Sequence, residues 1–461
     1  MRCLLLFLVV NAGAADFERH MITLPVTVRE SRFIDVDNDG RSDLLAADGV
    51  EKRLLIYRQR ATGFSKAPDQ MIDLATPTAW IAPCDVDAHP SLELAMSTAA
   101  GIFYHRQNGG VFESERRSLI KADQVFTGDD SPWIFSLATN STIPVISASE
   151  AILYRRNNAF EWTADPPSAL NVKRTRWRAT RNEWAVGANS SRTMRIQQSF
   201  RSQPDDDDEK PENDGIRKVL ETIKKANPGR QPHRSRVDVD GDRRKDLVLW
   251  HVIGNMDCRT EVFVFLRGAD GRLPGDPTQV LRGAGFPIPI GSTEEASPIA
   301  DLSGDGTCEL VLLEMTSSVF SASGVVEMVL SRGVDWALRI RSFNRGVFSG
   351  TVEASVPIKS IMPIVSFVSV ETEQWPVFIC GDFSGDGRPD FVVQRPDTQW
   401  TVLFSTGDRR WFAPEPAMTF ETPVQGYLEV NELNADGRSD IVLRGFDDPR
   451  LFVFISKGRS R

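Results

Sequence analysis

The chain has 461 residues, of which 41% are hydrophobic and 25% are charged. That apolar content suffices for a large folded body and excludes a disordered chain. The formal net charge of -9 argues against a nucleic-acid binder, whose balance is ordinarily basic.

Residues 1–15 read as a signal peptide. Arg2 is a short positive region, Cys3 to Val10 an apolar core, and Ala12-Gly13-Ala14 a small-x-small cleavage site. A buried first strand is the competing reading. No later stretch reaches the roughly 18 apolar residues of a spanning helix. A soluble, monomeric protein outside the cytoplasm, secreted or periplasmic, is therefore expected. Residues 19–26 then look like an outer strand with no unit before it.

The next feature is the nine-residue acidic stretch Asp35-Val36-Asp37-Asn38-Asp39-Gly40-Arg41-Ser42-Asp43, followed by Leu44-Leu45-Ala46-Ala47 and a strand at 53–57. A decayed copy follows at 85–93, where His89 and Pro90 stand in the places of Asp39 and Gly40. Two units without the motif come next. One runs through 133–135, 143–146 and 151–154, the other through Trp177, 183–187 and 193–196. The acidic run 205–211 and a short amphipathic helix at 215–227 form an insertion over about 203–232. Ile216, Val219, Leu220 and Ile223 share one face of that helix. The insertion is read as solvated, with a partner or extra cation site as the alternative.

The motif returns four times. Asp238, Asp240, Asp242, Arg244 and Asp246 hold its odd positions in one copy, with Arg243 at the Gly position. Asp301, Ser303, Asp305, Thr307 and Glu309 hold them in the next. Asp382, Ser384, Asp386, Arg388 and Asp390, then Glu432, Asn434, Asp436, Arg438 and Asp440, complete the series. A longer hairpin around 325–330 and 336–340 elongates one unit. Each unit reads as strand, acidic loop, apolar strand, turn and further strand. Short apolar runs at such regular spacing indicate an all-β propeller. Eight blades are expected, with seven as the alternative. The outer strand at 19–26 is expected to pair with the last strand, 451–455, and so to remove an open edge.

These motifs and their flanking strands resemble the FG-GAP/VCBS repeats of integrin α-subunit propellers and of many secreted bacterial proteins. The resemblance implies a seven- or eight-bladed propeller, calcium in the motif loops, and roles in binding, adhesion or scaffolding. It is weak for the two units between Gly110 and Phe200.

The chemistry of the loop agrees. Calcium takes six to eight oxygens, and positions 1, 3, 5 and 9 offer carboxylate, amide or hydroxyl oxygens. The backbone carbonyl of position 7, carried by Arg41, Thr307, Arg388 or Arg438, can add another. Gly at position 6 allows a positive φ. An EF-hand would need an acid at position 12, which here is Ala46, Leu249, Leu312, Val393 or Leu443. The loops at Asp35 and Asp238, with four carboxylates each, are expected to be strongest. The structural alternative is a plain turn satisfied by its own Asx hydrogen bonds.

The five histidines form no metal-protease pair, and no nucleophile elbow, Walker loop or dinucleotide motif is present. A non-enzymatic module binding a protein or glycan is expected. A lectin and a propeller-borne polysaccharide lyase or hydrolase are the alternatives. Of the cysteines, Cys258 and Cys308 are the expected pair, and Cys84 and Cys380 are expected as buried thiols. Asn140 and Asn189 begin glycosylation sequons, and most tryptophans are expected in the core.

Overall fold

The computed structural model describes residues 17–74, 78–87, 91–121, 133–134, 142–146, 150–157, 161–164, 168–169, 183–186, 213–226, 233–253, 259–288, 290, 297–316, 333–361, 378–394, 399–408, 410–413, 416–424, 426–445 and 448–457. The expected signal peptide, the acidic run, Cys258, the sequon residues Asn140 and Asn189, and the hairpin arm at 325–330 lie outside them.

The chain is all-β with one helix among the described residues. Among the described residues, seven meander sheets follow one another in sequence, beside a two-stranded hairpin of Gln59–Arg60 and Gly63–Phe64. The first joins Val28–Ile34, Asp43–Asp48, Arg53–Tyr57 and Gln70–Asp73. The second joins Thr78–Cys84, Glu93–Thr98, Gly101–Asn108 and Val111–Lys121. The third is built on Thr142–Ile146, Glu150–Arg156 and Trp162–Ala164. The fourth joins His233–Val237, Asp246–Ile253, Arg259–Phe265 and Gln279–Ala284. The fifth centres on Glu309–Met315, Gly333–Asn344 and Ala354–Ile361, and the sixth on Phe378–Gly381, Asp390–Gln394, Gln399–Leu403 and Met418–Glu421. The seventh joins Gly426–Asn431, Asp440–Gly445 and Arg450–Ser456 to Phe17–Thr23, from the other end of the described chain. That last pairing is antiparallel, from Phe17 opposite Ser456 to Thr23 opposite Arg450.

The strand after each acidic loop is apolar on both sides because each side packs on a different sheet. Leu44, Leu45, Ala46 and Ala47 are all fully buried. Leu45 and Ala47 meet Ile81, Leu94 and Met96 of the second sheet. Leu44 and Ala46 meet Val442, Leu451 and Val453 of the seventh. The same alternation carries contacts from the fourth sheet to the fifth, sixth, seventh, first, second and third in turn. This face-to-face stacking of meanders is a β-propeller-like arrangement. Trp80, Trp250, Trp336 and Trp400 are buried within it, as their strand settings imply.

Two segments depart from the sequence reading. Glu183–Val186, expected in a unit of its own, pairs antiparallel with Gly426–Asn431 and becomes an extra strand of the seventh sheet. Trp133–Ile134 runs parallel to Trp80 and Ile81 at the edge of the second sheet. The pairing partner lies far away in sequence, so local pattern cannot reveal either arrangement.

The helix, Asp214–Ala226, is also a correction. Asn213 caps it, its Oδ1 accepting the Ile216 N–H at 2.9 Å, while its Nδ2 donates to the Pro274 carbonyl at 2.9 Å. Asp214 lies in the first turn and Lys224 and Lys225 in the last, each suited to the helix dipole. Ile216 and Ile223 pack on Leu247, Leu249, Phe263 and Phe265 of the fourth sheet. These are the residues facing away from the fifth sheet, so the helix covers a sheet face rather than standing in solvent.

Candidate functional site

The acidic motifs join the first and second strands of their sheets, and position 9 lies beneath each loop rather than at its mouth. Asp43, Glu93, Asp246, Glu309, Asp390 and Asp440 are all buried. Each accepts the backbone N–H of its own position 2, with distances of 3.4 Å from Val36, 3.0 Å from Val86, 2.9 Å from Val239, 2.8 Å from Leu302, 2.9 Å from Phe383 and 3.0 Å from Leu433. Four of them use the second oxygen for an N–H at or just beyond the end of the third strand: Gln59 at 2.8 Å, Arg267 at 2.6 Å, Ser405 at 2.9 Å and Ser456 at 2.7 Å. Position 9 thus fastens the loop to two strands, a role the sequence pattern does not distinguish from ligation. Burial raises these carboxyls, to about 7 for Asp43, Glu93, Glu309, Asp390 and Asp440 and about 6 for Asp246. Their backbone hydrogen bonds oppose the rise, and nearby motif carboxylates add to it.

Position 1 organises the turn. Asp35 accepts the N–H of Asn38 at 2.7 Å and of Gly40 at 2.9 Å. Asp238 does the same for Gly241 and Arg243, Asp301 for Gly304 and Gly306, and Asp382 for Gly385 and Gly387. Glu432, one methylene longer, takes the N–H of Asp436 at 3.1 Å instead. Position 6 has the expected positive φ in all five of these loops, including Arg243 at 68°. Position 4 has it too, from 57° at Ala435 to 79° at Gly241. A Cβ on Gly241 would lie 2.5 Å from the carbonyl oxygen of Gly306 in the next loop, so glycine there serves both conformation and close approach.

Position 5 is held by position 7. Asp39, Asp242, Asp305, Asp386 and Asp436 accept the N–H of Arg41, Arg244, Thr307, Arg388 and Arg438 at 2.8, 2.8, 2.8, 3.0 and 2.9 Å. The side chains pair as well: Arg41 with Asp39, Arg244 with Asp242, Arg388 with Asp386, and Arg438 with Asp436 at 3.7 Å. Thr307 Oγ1 donates to Asp305 at 2.7 Å. At position 3, Ser303 and Ser384 donate to the position 1 carboxylate at 3.4 and 3.2 Å, and Asn434 Nδ2 donates to Asp436 at 3.2 Å.

These hydrogen bonds leave room for a cation, because an ionised carboxylate offers about four lone-pair sites. Among the described residues, two motifs bring three carboxylate oxygens within 4.8 Å of one another: Asp35, Asp37 and Asp39, and Asp238, Asp240 and Asp246. The donor set is all oxygen and suits a hard cation such as calcium. The first group has a feature the sequence reading missed. Arg58 Nη1 donates to Asp37 at 2.8 Å and to Asp43 at 3.3 Å. In the decayed second loop Arg106 pairs with Asp87, and Arg156 lies 2.8 Å from Asp85.

Adjacent loops are also tied together. Position 8 donates its N–H to the preceding loop three times: Ser42 to Leu433 O at 2.6 Å, Cys308 to Val239 O at 3.0 Å and Ser439 to Asp382 O at 2.7 Å. Cys308 is a buried free thiol whose Sγ donates to Asp238 O at 3.2 Å. The expected bridge to Cys258 is therefore not formed. Cys84 and Cys380 are both free thiols; Cys84 is buried as expected, while Cys380 is only partly buried. His251 pairs with Glu261 at 3.1 Å, and Glu261 also accepts from Arg282 at 2.6 Å. That cluster spans the second, third and fourth strands of the fourth sheet, apart from the loops.

Fold and loops together define an all-β repeat protein in which six of the seven described meander sheets carry the acidic turn or its decayed copy. No family model matches the chain, and no curated protein matches it by sequence. Among solved structures it is similar to BBS1N in complex with ARL6DN, at 8% identity over 97% of this chain and 98% of that one, with a TM-score of 0.30. It is also similar to an Agrocybe aegerita lectin that recognises non-reducing terminal N-acetylglucosamine, at 14% identity over 88% and 87%, TM-score 0.31. A protein from Lactobacillus plantarum is 12% identical over 95% and 99%, TM-score 0.24. Superpositions this loose carry no argument, and the reading rests on the sheets and loops themselves.

Proposed function

We propose that the chain is a secreted or periplasmic, calcium-held β-propeller of FG-GAP/VCBS type that serves as a non-enzymatic binding or scaffold module for a protein or glycan. The seven meander sheets are its blades, and Phe17–Thr23 closes the ring on Arg450–Ser456. The observation that carries the reading is the recurrence of one acidic turn, in one place, on the fourth to seventh sheets. Asp238, Asp240 and Asp246 give it its most complete oxygen set. Calcium there would clip the turn between two strands and leave the outer loops free to meet a partner. Among the described residues no helix is long and apolar enough to cross a membrane.

The metal part is tested by thermal unfolding in EGTA and in calcium, with elemental analysis of the purified protein. A melting temperature raised by calcium, with the metal bound, is the expected result; no shift and no metal would remove calcium from the account. A glycan array run beside a polysaccharide turnover screen separates the binding module from its alternatives. Binding without turnover supports the module, and turnover would replace it with a lyase or hydrolase.

A further inference from the structure

We infer that the first two acidic loops do not take a metal and carry an arginine of their own sheet as resident cation, Arg58 in the first and Arg106 in the second. The inference bears on the calcium reading above, whose four later loops it leaves intact.

The strand register isolates the position responsible. In the first sheet Leu44 lies opposite Tyr57, so Asp43 and Arg58 occupy the next pair of places. In the second sheet Leu94 lies opposite His105, which places Glu93 and Arg106 in the same relation. The corresponding residue is Leu266 in the fourth sheet, Ser342 in the fifth, Phe404 in the sixth and Ile455 in the seventh. Leu266, Phe404 and Ile455 contribute to the apolar packing against the following sheet. Only the first two loops place a guanidinium there.

Its contacts are those of a counter-ion. The Arg58 side chain is 13% exposed and bridges Asp37, at 19%, to Asp43, at 1%. A second Arg58 nitrogen, Nη2, and Asp37 Oδ1 are also buried beside this bridge. A calcium drawing oxygens from Asp37 and Asp43 would bring its two charges against the guanidinium, a like-charge contact at close range. Thus the first loop, with four carboxylates in its sequence, does not fit the metal as well as its composition implies. The second loop follows the same plan with less acid. Arg106 Nε donates to Asp87 at 3.2 Å, Tyr104 Oη donates to the same oxygen at 3.3 Å, and Arg156 covers Asp85.

The test substitutes Arg58→Leu, the residue type the fourth sheet uses. In EGTA the melting temperature of this variant is expected to fall by about 5 °C, because breaking a buried ion pair leaves carboxylates uncompensated. Added calcium should restore it, with one more ion per chain than the unmodified protein by native mass spectrometry. Leu266→Arg is the reverse variant and is expected to bind one ion fewer. An Arg58→Leu protein that melts unchanged in EGTA overturns the inference. So does an Asp37→Asn variant that binds one calcium fewer than the unmodified protein. If the unmodified protein binds no calcium at all, the proposed metal role fails, while the EGTA melting of Arg58→Leu still decides the role of the arginine.

Discussion

Asp390 is the sharpest place to test whether position 9 holds each turn by hydrogen bonding. The carboxylate is fully buried and accepts three backbone N–H groups, from Phe383, Ser384 and Ser405, each at 2.9 Å. Asp390→Ala leaves all three without an acceptor. Phe383 and Ser405 are buried and Ser384 only partly so, so two amides lose any route to water. At about 1–3 kcal/mol for each buried unsatisfied donor, the loss is about 2–6 kcal/mol. Relief of the desolvated charge offsets part of it, so a net destabilisation of about 3 kcal/mol is expected at neutral pH. Asp390→Asn retains one acceptor oxygen and is expected to lose about half as much. Asp386→Ala in the same loop removes an exposed pair with Arg388 and the acceptor of its exposed N–H, which water can replace, and is expected to stay within about 1 kcal/mol. Urea unfolding in EGTA, followed by tryptophan fluorescence, compares the three without metal. An Asp390→Ala cost no greater than that of Asp386→Ala would refute the reasoning.

Three further outcomes are expected. Arg243 has φ 68° where the other four loops have glycine, so Arg243→Gly should stabilise the metal-free protein by about 1 kcal/mol; a loss of stability in urea titration would contradict this. Burial raises the position 9 carboxyls above their unfolded values, to about 7 for Asp43, Asp390 and Asp440. The native state then binds more protons between about pH 4 and 7 than the unfolded chain, and stability falls as pH rises through that window. Melting in EGTA should therefore drop between pH 5 and pH 8, with calcium giving its largest gain at pH 8; a metal-free protein most stable at pH 8 would oppose this. Deleting residues 17–28 should abolish cooperative unfolding, since it removes Phe17 and Ile22 from two cores and bares the strand Arg450–Ser456. A soluble truncated chain with one sharp transition would argue against closure.

Much of this fold is legible because its signals are local. The run Leu44-Leu45-Ala46-Ala47 can be apolar on both faces only between two other layers, and the six acidic turns mark where such strands begin. The pairing of the first strand with the last also follows from the text, since one end lacks an outer strand and the other supplies a spare one. The two units without acidic turns were harder. Glu183–Val186 reads as a strand, but its partner Gly426–Asn431 is more than half the chain away. The helix at Asp214–Ala226 was legible as an element, though not as a cover for the fourth sheet, because amphipathicity shows that a face is buried and not against what.

In the loops, residue type located the oxygens but not their duties. Positions 1, 3, 5 and 9 look alike in sequence, yet position 1 folds the turn, position 5 pairs with position 7, and position 9 fastens two strands. Counting carboxylates ranked the Asp35 loop with the Asp238 loop. What separates them is Arg58 against Leu266, a residue that lies outside the motif and reaches it only across the sheet.

Anomalous diffraction from crystals grown in calcium tests the central claim most directly. The account predicts calcium peaks in the turns headed by Asp238, Asp301, Asp382 and Glu432, on a closed ring of seven blades. Turns headed by those residues with no anomalous density, in crystals where calcium is abundant, would contradict it.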